Sequence, residues 1–82
     1  MNNAKKLANT ISSLPEEQLT DFLEGILSES ELEQIAARLE IVELLRQGVS
    51  QHEIAKRLEI GVATVSRGAK MLKQGKFDYT WG

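Results

Sequence analysis

Apolar residues recur along this chain at intervals of three and four, the spacing that places them on one face of an α-helix. The first such set predicts a short helix over residues 3–13 and consists of Ala4, Leu7, Ala8, Ile11 and Leu14. Pro15 breaks this helix. Ser13 followed three residues later by Glu16, with Pro15 in the first turn, predicts the start of a second helix. The apolar stripe of that helix ends near Leu27 and consists of Leu19, Phe22, Leu23 and Ile26.

A third and longer helix is predicted to follow Ser28, which forms another capping box with Glu31. It is predicted to stop at Gly48, because glycine suits the left-handed residue after a helix. Its main apolar stripe comprises Leu32, Ile35, Ala36, Leu39, Val42 and Leu45. Ile41 and Leu44 lie outside that stripe, so the end of the helix is apolar around much of its girth. Such a helix is buried on more than one side. In a chain of 82 residues, we expect the extra side to meet a second subunit.

Residues 50–72 have the pattern of a helix-turn-helix. Ser50 caps a fourth helix, residues 59–61 form a tight turn, and a fifth helix begins near Val62. The residues expected to pack the two helices together are Ile54, Ala55, Leu58, Ile60 and Val65. A unit of this kind holds two helices at a fixed angle so that the second can enter the major groove of DNA.

Together these elements predict a single all-α domain of five helices. We expect residues 1–48 to form a helical dimerisation frame, residues 49–73 the helix-turn-helix, and residues 74–82 a short extended aromatic tail. The chain has no cysteine, which excludes disulfides and thiol chemistry, and His52 has no second ligand at metal-binding spacing. No apolar run approaches the ~20 residues that span a bilayer, and no signal peptide is visible. A cytoplasmic protein without a membrane partner is therefore expected.

The net charge of −2 is divided unevenly along the chain. Residues 14–48 hold nine acidic residues against two arginines, whereas residues 49–82 hold six basic residues against three acidic ones. The segment expected to touch phosphate is therefore the basic one. The alternative is that both segments are ordinary solvated faces.

The exposed positions of the helix-turn-helix are small, polar or basic, as a DNA-contacting surface requires. Gln51 and His52 stand at the start of the fourth helix, where free backbone N–H groups favour phosphate. Small residues at the start of the fifth helix let it enter the groove, where Val62 and Ala63 can touch a thymine methyl. The predicted DNA-contacting residues are Gln51, His52, Val62, Ala63, Thr64, Ser66, Arg67, Lys70 and Lys73.

The end of the chain has a different pattern, in which Phe77, Tyr79 and Trp81 alternate with polar residues. Three interpretations are open. The rings cover a hydrophobic groove of a dimer, they form a docking strand for another protein, or the tail reaches DNA. The spacing is compatible with all three.

Three stretches carry the pattern of a known family: residues 37–48 (ARLEIV-LLRQG), residues 50–58 (SQ to L) and residues 61–68 (GVATVSRG). Taken together they resemble the Trp repressor family over about residues 27–73, and they look nearer to uncharacterised relatives of the repressor than to the repressor itself. The resemblance implies an intertwined all-helical homodimer. It also implies a transcriptional regulator, by preference a repressor, that binds double-stranded DNA at palindromic operators.

The resemblance further implies a corepressor pocket between the third and fifth helices, for L-tryptophan or a similar small molecule. In the family two arginines sandwich the indole ring, and the matching positions are Arg38 and Arg67. The family's other ligand-binding positions correspond to Ser28, Thr64 and Gly68. Most helix-turn-helix units place an apolar side chain where this chain has the glycine, so a space is expected there between the frame and the fifth helix.

The chain departs from the family pattern in two places. Met71 stands where the family has the serine that bonds the ligand's amino group, and methionine cannot make that bond, while its flexible chain can fill the space itself. The long last helix of the family is replaced by residues 73–82. The two arginines also have simpler interpretations, because Arg38 can pair with a carboxylate and Arg67 can contact only DNA phosphate.

Two other classes of function are alternatives to the DNA-binding regulator. A helix-turn-helix can serve as a protein-interaction module without DNA sequence specificity, and the acidic frame and aromatic tail would suit a protein partner. An enzyme has no support, because the chain shows no nucleophile with a base, no paired catalytic carboxylates and no phosphate loop.

Overall fold

The computed structural model describes residues 2–81, which form five α-helices. These are α1 (Asn3–Ser12), α2 (Glu16–Ile26), α3 (Glu29–Arg46), α4 (Gln51–Leu58) and α5 (Val62–Lys73). Residues 2–81 contain no β-strand, so the predicted all-α fold is confirmed. The chain divides into two compact units, one ending at Glu33 and the other beginning at Gln34.

Short-range hydrogen bonds fix where most of these helices begin. At α3 the capping box is complete: the Ser28 N–H donates to the Glu31 carboxylate at 2.8 Å, and the Glu31 N–H donates to Ser28 Oγ at 3.1 Å. The backbone N–H of Ser28 and then its side chain hold the pKa of Glu31 below its ordinary value. At α4 the Glu53 N–H donates to Ser50 Oγ at 3.2 Å, so the caps predicted at Ser28 and Ser50 are confirmed.

The capping box predicted at the start of α2 is wrong. The Ser13 hydroxyl donates instead to the Thr10 carbonyl at 2.7 Å, at the end of α1. Pro15 is itself the N-cap of α2, where no side chain makes a capping hydrogen bond. A hydroxyl between two helices can bond to the end of the first or to the start of the second, and here Ser13 bonds to the end of α1.

The first unit has amphipathic helices but no core of its own. Neither α1 nor α2 contains a buried residue. Leu7 on α1 is 48% exposed and Ile26 at the end of α2 is 55% exposed. Apolar stripes of this kind are stable only when another surface covers them.

The second unit has a small apolar core that joins α3, α4 and α5. Its fully buried side chains are Ile41, Ile54 and Val65. The other predicted packing residues belong to it as well: Ala55 is buried, and Leu58 and Ile60 pack against the cluster. The predicted core of the helix-turn-helix is therefore confirmed.

The predicted partner-facing side of α3 is wrong in one respect. Ile41, which lies outside the main stripe, is only 1% exposed because α4 and α5 pack on that side within the same chain. The open apolar residues are members of the stripe itself, Ile35 and Leu39, each 47% exposed. The apolar spacing predicts that α3 has two apolar sides, but it does not indicate which side is covered by other helices of the same chain.

Two left-handed residues shape the connections around α4. Gly48, at φ +86°, follows α3 as predicted. In the turn to α5 the left-handed residue is Glu59, at φ 54° and ψ 46°. Gly61 has φ −71° and serves as the N-cap of α5. This turn therefore does not use the conformational freedom of its glycine.

The aromatic tail folds back on its own unit, which differs from the short extended tail predicted. Residues 74–77 form turns, and Phe77 has a left-handed backbone at φ 63°. Beyond it, the Arg46 guanidinium donates to the Tyr79 carbonyl at 2.7 Å and lies 4.6 Å from the centre of the Trp81 ring. The tail is thus attached to the end of α3. Within residues 2–81, no helix combines the length and apolar character needed to cross a membrane.

Candidate DNA-binding surface and adjoining pocket

The fifth helix presents an open face beside the core. Val65 is fully buried and anchors α5 in the core. The residues around its first turn, Val62, Ala63 and Thr64, are exposed. Gly61 supplies no side-chain cap, so the start of α5 is a narrow end with no bulky group in front of it. A recognition helix needs this shape to enter the major groove.

The cationic residues of α5 lie farther along the same helix. Arg67, Lys70 and Lys73 are all exposed, and the two lysines belong to the last turn. The helix has no acidic residue to oppose them. On a helix whose start enters the major groove, cations at such positions would contact phosphate.

Two of the predicted DNA-contacting residues bond to each other. The Ser66 hydroxyl donates to the Gln51 side-chain oxygen at 2.7 Å, and both side chains are half-buried. This hydrogen bond fastens the start of α4 to the middle of α5. The Gln51 amide N–H₂ and the lone pairs of the Ser66 oxygen keep hydrogen-bonding capacity toward a base or phosphate. His52, the neighbouring residue of α4, is exposed.

A pocket of about 400 Å³ lies between α3 and α5, in the second unit. Its floor is apolar, because Ile41 and Val42 of α3 are both buried. Five of the six predicted ligand-binding residues come from this unit, and all five line the pocket: Arg38, Thr64, Arg67, Gly68 and Met71. The sixth, Ser28, belongs to the first unit, where its hydroxyl caps α3.

Gly68 lines the pocket and also marks a close contact between two helices. A Cβ placed on Gly68 would lie 3.1 Å from Ile41 Cγ2 and 3.6 Å from Leu45 Cδ1. The missing side chain therefore lets α5 approach α3 closely, and both Gly68 and Ile41 line the pocket.

The arginine pair of the pocket is free of acidic partners. Within residues 2–81 the structure shows no ion pair for Arg38 or Arg67; the ion pair it does show joins Arg57 to Glu53 at 3.1 Å on α4. The simpler interpretation of Arg38 as a partner of a carboxylate in its own chain is thus not what the structure shows. Both guanidinium groups are exposed and available to an anion.

Phe77 also lines the pocket, and sequence reasoning missed it. It arrives there because the turns after α5 and its own left-handed backbone bring the tail back toward α3. Alternation of aromatic residues marked the tail as unusual, but no local pattern indicates which ring turns inward.

With this geometry established, comparison with known proteins places the chain in a family. The sequence profile described as "Trp repressor protein" matches residues 2–81. The chain belongs to the Trp repressor family. Members of the Trp repressor family are transcriptional regulators and not enzymes, as the sequence predicted.

Individual relatives agree with this assignment. An "Uncharacterized protein YerC" of Bacillus subtilis (strain 168) is 32% identical over 75 residues, which are 90% of this chain and 72% of the relative. A "Trp operon repressor homolog" of Vibrio cholerae is 36% identical over 67 residues, 80% of this chain and 65% of the relative. That of Actinobacillus succinogenes is 38% identical over 60 residues, 72% of this chain and 59% of the relative. The chain thus spans less than two thirds of these two repressor homologs. No solved structure matches significantly.

Proposed function

We propose that this member of the Trp repressor family is a dimeric, sequence-specific DNA-binding regulator of transcription that acts as a repressor on palindromic operators. The observation that carries the proposal is the open, uncapped start of α5, which is followed by three exposed cations and held rigidly by a buried Val65. The names of the relatives from Vibrio and Actinobacillus support repression. Such a protein works where the DNA is, and we propose a cytoplasmic location.

The side chains of the proposed DNA-binding surface have different roles, which follow from their chemistry. The small side chains of Val62 and Ala63 suit contact with base edges, above all the thymine methyl group. Lys70 and Lys73 act as phosphate contacts that add affinity without choosing a sequence. Gln51 and Ser66, already bonded to each other, fix the orientation of α5 and offer their remaining hydrogen-bonding groups to the DNA.

Homodimerisation is supported by apolar residues that the single chain leaves open. In the first unit they are Leu7 and Ile26, and in the second Ile35 and Leu39. Each is about half exposed, and neither α1 nor α2 contains a buried residue. A second copy of the chain supplies the surface that these residues need, and a symmetric dimer then presents two copies of α5 to two half-sites.

The pocket between α3 and α5 gives the proposed regulator a place for a small-molecule corepressor. It adjoins Thr64 and Arg67 of the recognition helix, so an occupant contacts the helix that touches DNA. A ligand that binds there more tightly in the DNA-bound arrangement raises the DNA affinity by the same factor.

The proposal is tested by placing a negative charge at the start of α5. A duplex enriched from a random pool by the wild-type protein is titrated with wild type, Ala63→Glu and Gln18→Glu. Ala63→Glu should lower the affinity at least tenfold, because the carboxylate faces the groove. Gln18→Glu also adds one negative charge, but at an exposed polar position of α2 outside its apolar stripe, and should change the affinity less than twofold.

Two results contradict the proposal. If Ala63→Glu binds the selected duplex as tightly as the wild type, α5 is not the recognition helix. If the wild-type protein retains no DNA at low salt but recovers one stoichiometric protein from an extract, the helix-turn-helix is a protein-interaction module.

A further inference from the structure

The pocket between α3 and α5 is strongly asymmetric in charge. Its apolar surface comes mainly from Ile41, Val42 and Met71, and its charged groups are the guanidinium groups of Arg38 and Arg67. None of the residues that line it is an aspartate or glutamate. A ligand with a carboxylate finds two cations there, whereas an ammonium group finds two like charges and no counter-ion.

The hydrogen-bonding groups of the pocket lead to the same conclusion. The Thr64 hydroxyl is the one uncharged polar side chain among the lining residues. Met71 occupies the position beyond it and offers only a weakly accepting thioether. An ammonium group that faces this wall finds no carboxylate, and Thr64 Oγ1 is the one side-chain oxygen able to accept from it, so its loss of water there is poorly compensated. An apolar anion without an ammonium group avoids that cost.

The tail completes the wall of the pocket with an aromatic ring. Phe77 lines the pocket and meets the Trp81 ring edge-on, with the ring centres 6.2 Å apart and the planes at 73°. The Arg46 guanidinium lies over the Trp81 ring, with Arg46 Cζ 4.6 Å from the centre of that ring. Arg46 also bonds the Tyr79 carbonyl at 2.7 Å. One side chain of α3 thus fastens the segment that carries Phe77.

The backbone of Phe77 shows that this position is held by its surroundings. At φ 63° a residue with a side chain adopts an unfavourable conformation, because its Cβ comes close to the following carbonyl oxygen. Such a conformation persists where neighbouring contacts impose it, and the Arg46 and Trp81 contacts are the ones that do so here.

We propose that Phe77 is a specificity-determining residue of this pocket, positioned by Arg46, and that the pocket takes a flat apolar carboxylate that has no ammonium group. The proposal rests on the effector pocket of the proposed function and names its ligand class. The ring of the ligand packs against Phe77 and Met71, its carboxylate lies between Arg38 and Arg67, and a planar guanidinium also stacks on an aromatic face.

The charge requirement is tested with three ligands that share one phenyl group and one chain length. These are 3-phenylpropanoate, L-phenylalanine and 2-phenylethylamine, titrated into the wild-type protein by calorimetry. The carboxylate alone should bind at least tenfold more tightly than the amino acid, and the amine should give no heat. Equal or tighter binding of L-phenylalanine overturns the ligand class, and absence of heat with all three overturns the site.

The role of Phe77 is tested with variants outside the arginine pair. Phe77→Ala should weaken 3-phenylpropanoate at least fivefold, and Phe77→Leu, which keeps an apolar wall and the same backbone strain, should weaken it less. Arg46→Gln should weaken it severalfold and make Trp81, the only tryptophan of the chain, more accessible to acrylamide quenching. Tyr79→Phe keeps the backbone carbonyl that Arg46 bonds and should behave as wild type.

The outcomes separate this proposal from the function on which it rests. If Phe77→Ala binds the ligand as wild type does, or if Arg46→Gln leaves the quenching of Trp81 unchanged, the tail does not form the wall. Circular dichroism shows whether each variant is folded. Binding of the selected duplex is measured without ligand in the same samples, so a failure of the pocket leaves the DNA-binding result standing on its own.

Discussion

Glu59 closes α4 in a conformation that suits glycine. Its left-handed backbone at φ 54° places Cβ against the following carbonyl oxygen, which costs about 1–2 kcal/mol for a residue with a side chain. Its carboxylate also lies at the negative end of the α4 dipole. The left-handed turn lets the Ile60 N–H donate to the Ala55 carbonyl at 3.1 Å, but a glycine would keep this hydrogen bond without the steric cost. The turn between α4 and α5 is therefore a place where stability can be gained.

Glu59→Gly should raise the free energy of unfolding by about 1 kcal/mol, after the greater freedom of glycine in the unfolded chain is deducted. Glu59→Ala removes the same charge but keeps Cβ, so the difference between the two variants isolates the backbone. Chemical denaturation at one fixed protomer concentration measures it. An alanine variant as stable as the glycine variant would show that the charge, not the backbone, is the cost.

Glu31 makes the stability of the α3 start depend on pH. Its folded pKa is lowered by the Ser28 N–H and then by the Ser28 side chain, so its contribution is present above the unfolded pKa and is lost as pH falls through the folded pKa. Glu31→Gln keeps an acceptor oxygen and should therefore destabilise the protein at pH 7, with a difference that shrinks as the pH falls through the lowered pKa of Glu31.

Glu29 supplies the control for this prediction. It lies in the same first turn of α3 but has no hydrogen bond to Ser28 in the structure. Glu29→Gln should give a smaller difference at pH 7, measured by denaturation at each pH. A pH-independent difference between wild type and Glu31→Gln would contradict the assignment of the effect to the charged capping box.

Among the elements, α3 and α5 show what a glycine does when two helices touch. Ile41 is almost completely buried and β-branched, so it cannot turn away from a Cβ 3.1 Å distant at Gly68. In α2, by contrast, a Cβ on Gly25 would meet nothing within 4 Å. The same substitution therefore has opposite expected effects in the two helices.

Gly25→Ala should raise the free energy of unfolding by about 0.5 kcal/mol through helix propensity. Gly68→Ala gains the same propensity but pushes α5 away from α3, and it should lower the free energy of unfolding by about 1 kcal/mol. Thermal and chemical denaturation of the two variants check both signs. Equal stabilisation by both would show that the α3–α5 contact is looser than the distance indicates.

The elements also show how far sequence reasoning reached. Helix positions, the Ser28 and Ser50 caps and the core of the helix-turn-helix were all predicted, because each depends on residues three or four apart. The covered side of α3, the partner of Ser13 and the place of Phe77 in the pocket were not. Those features are settled by contacts between distant segments or by competition between two neighbouring helices, which no local pattern encodes.

On the scale of the whole molecule, acidic and basic residues are distributed unevenly along the chain. The acidic residues concentrate in the first part of the chain and the basic residues in the second. A net charge of −2 weakens unspecific attraction of the protein to DNA. The cations of α5 act only over short distances in salt, so they attract the phosphates that lie next to the bound helix. We therefore expect DNA binding that depends strongly on salt despite the overall negative charge.

Lys73→Gln should lower the affinity for all duplexes alike and reduce the slope of log affinity against log salt by about one unit per lysine replaced, hence about two in a dimer. Lys6→Gln removes the same charge from α1 and should leave the slope unchanged. Fluorescence anisotropy at several salt concentrations provides the slopes. An unchanged slope for Lys73→Gln would remove this residue from the phosphate contacts.

The central claim is that two copies of α5, held by one dimer, bind two adjacent half-sites. The most direct measurement is the sequence of duplexes selected by the wild-type protein from a random pool. The account predicts an inverted repeat with half-site centres about 34–36 Å apart, the spacing of helix-turn-helix dimers, the Trp repressor among them. A selected sequence without two-fold symmetry, or no enrichment at all, would contradict it.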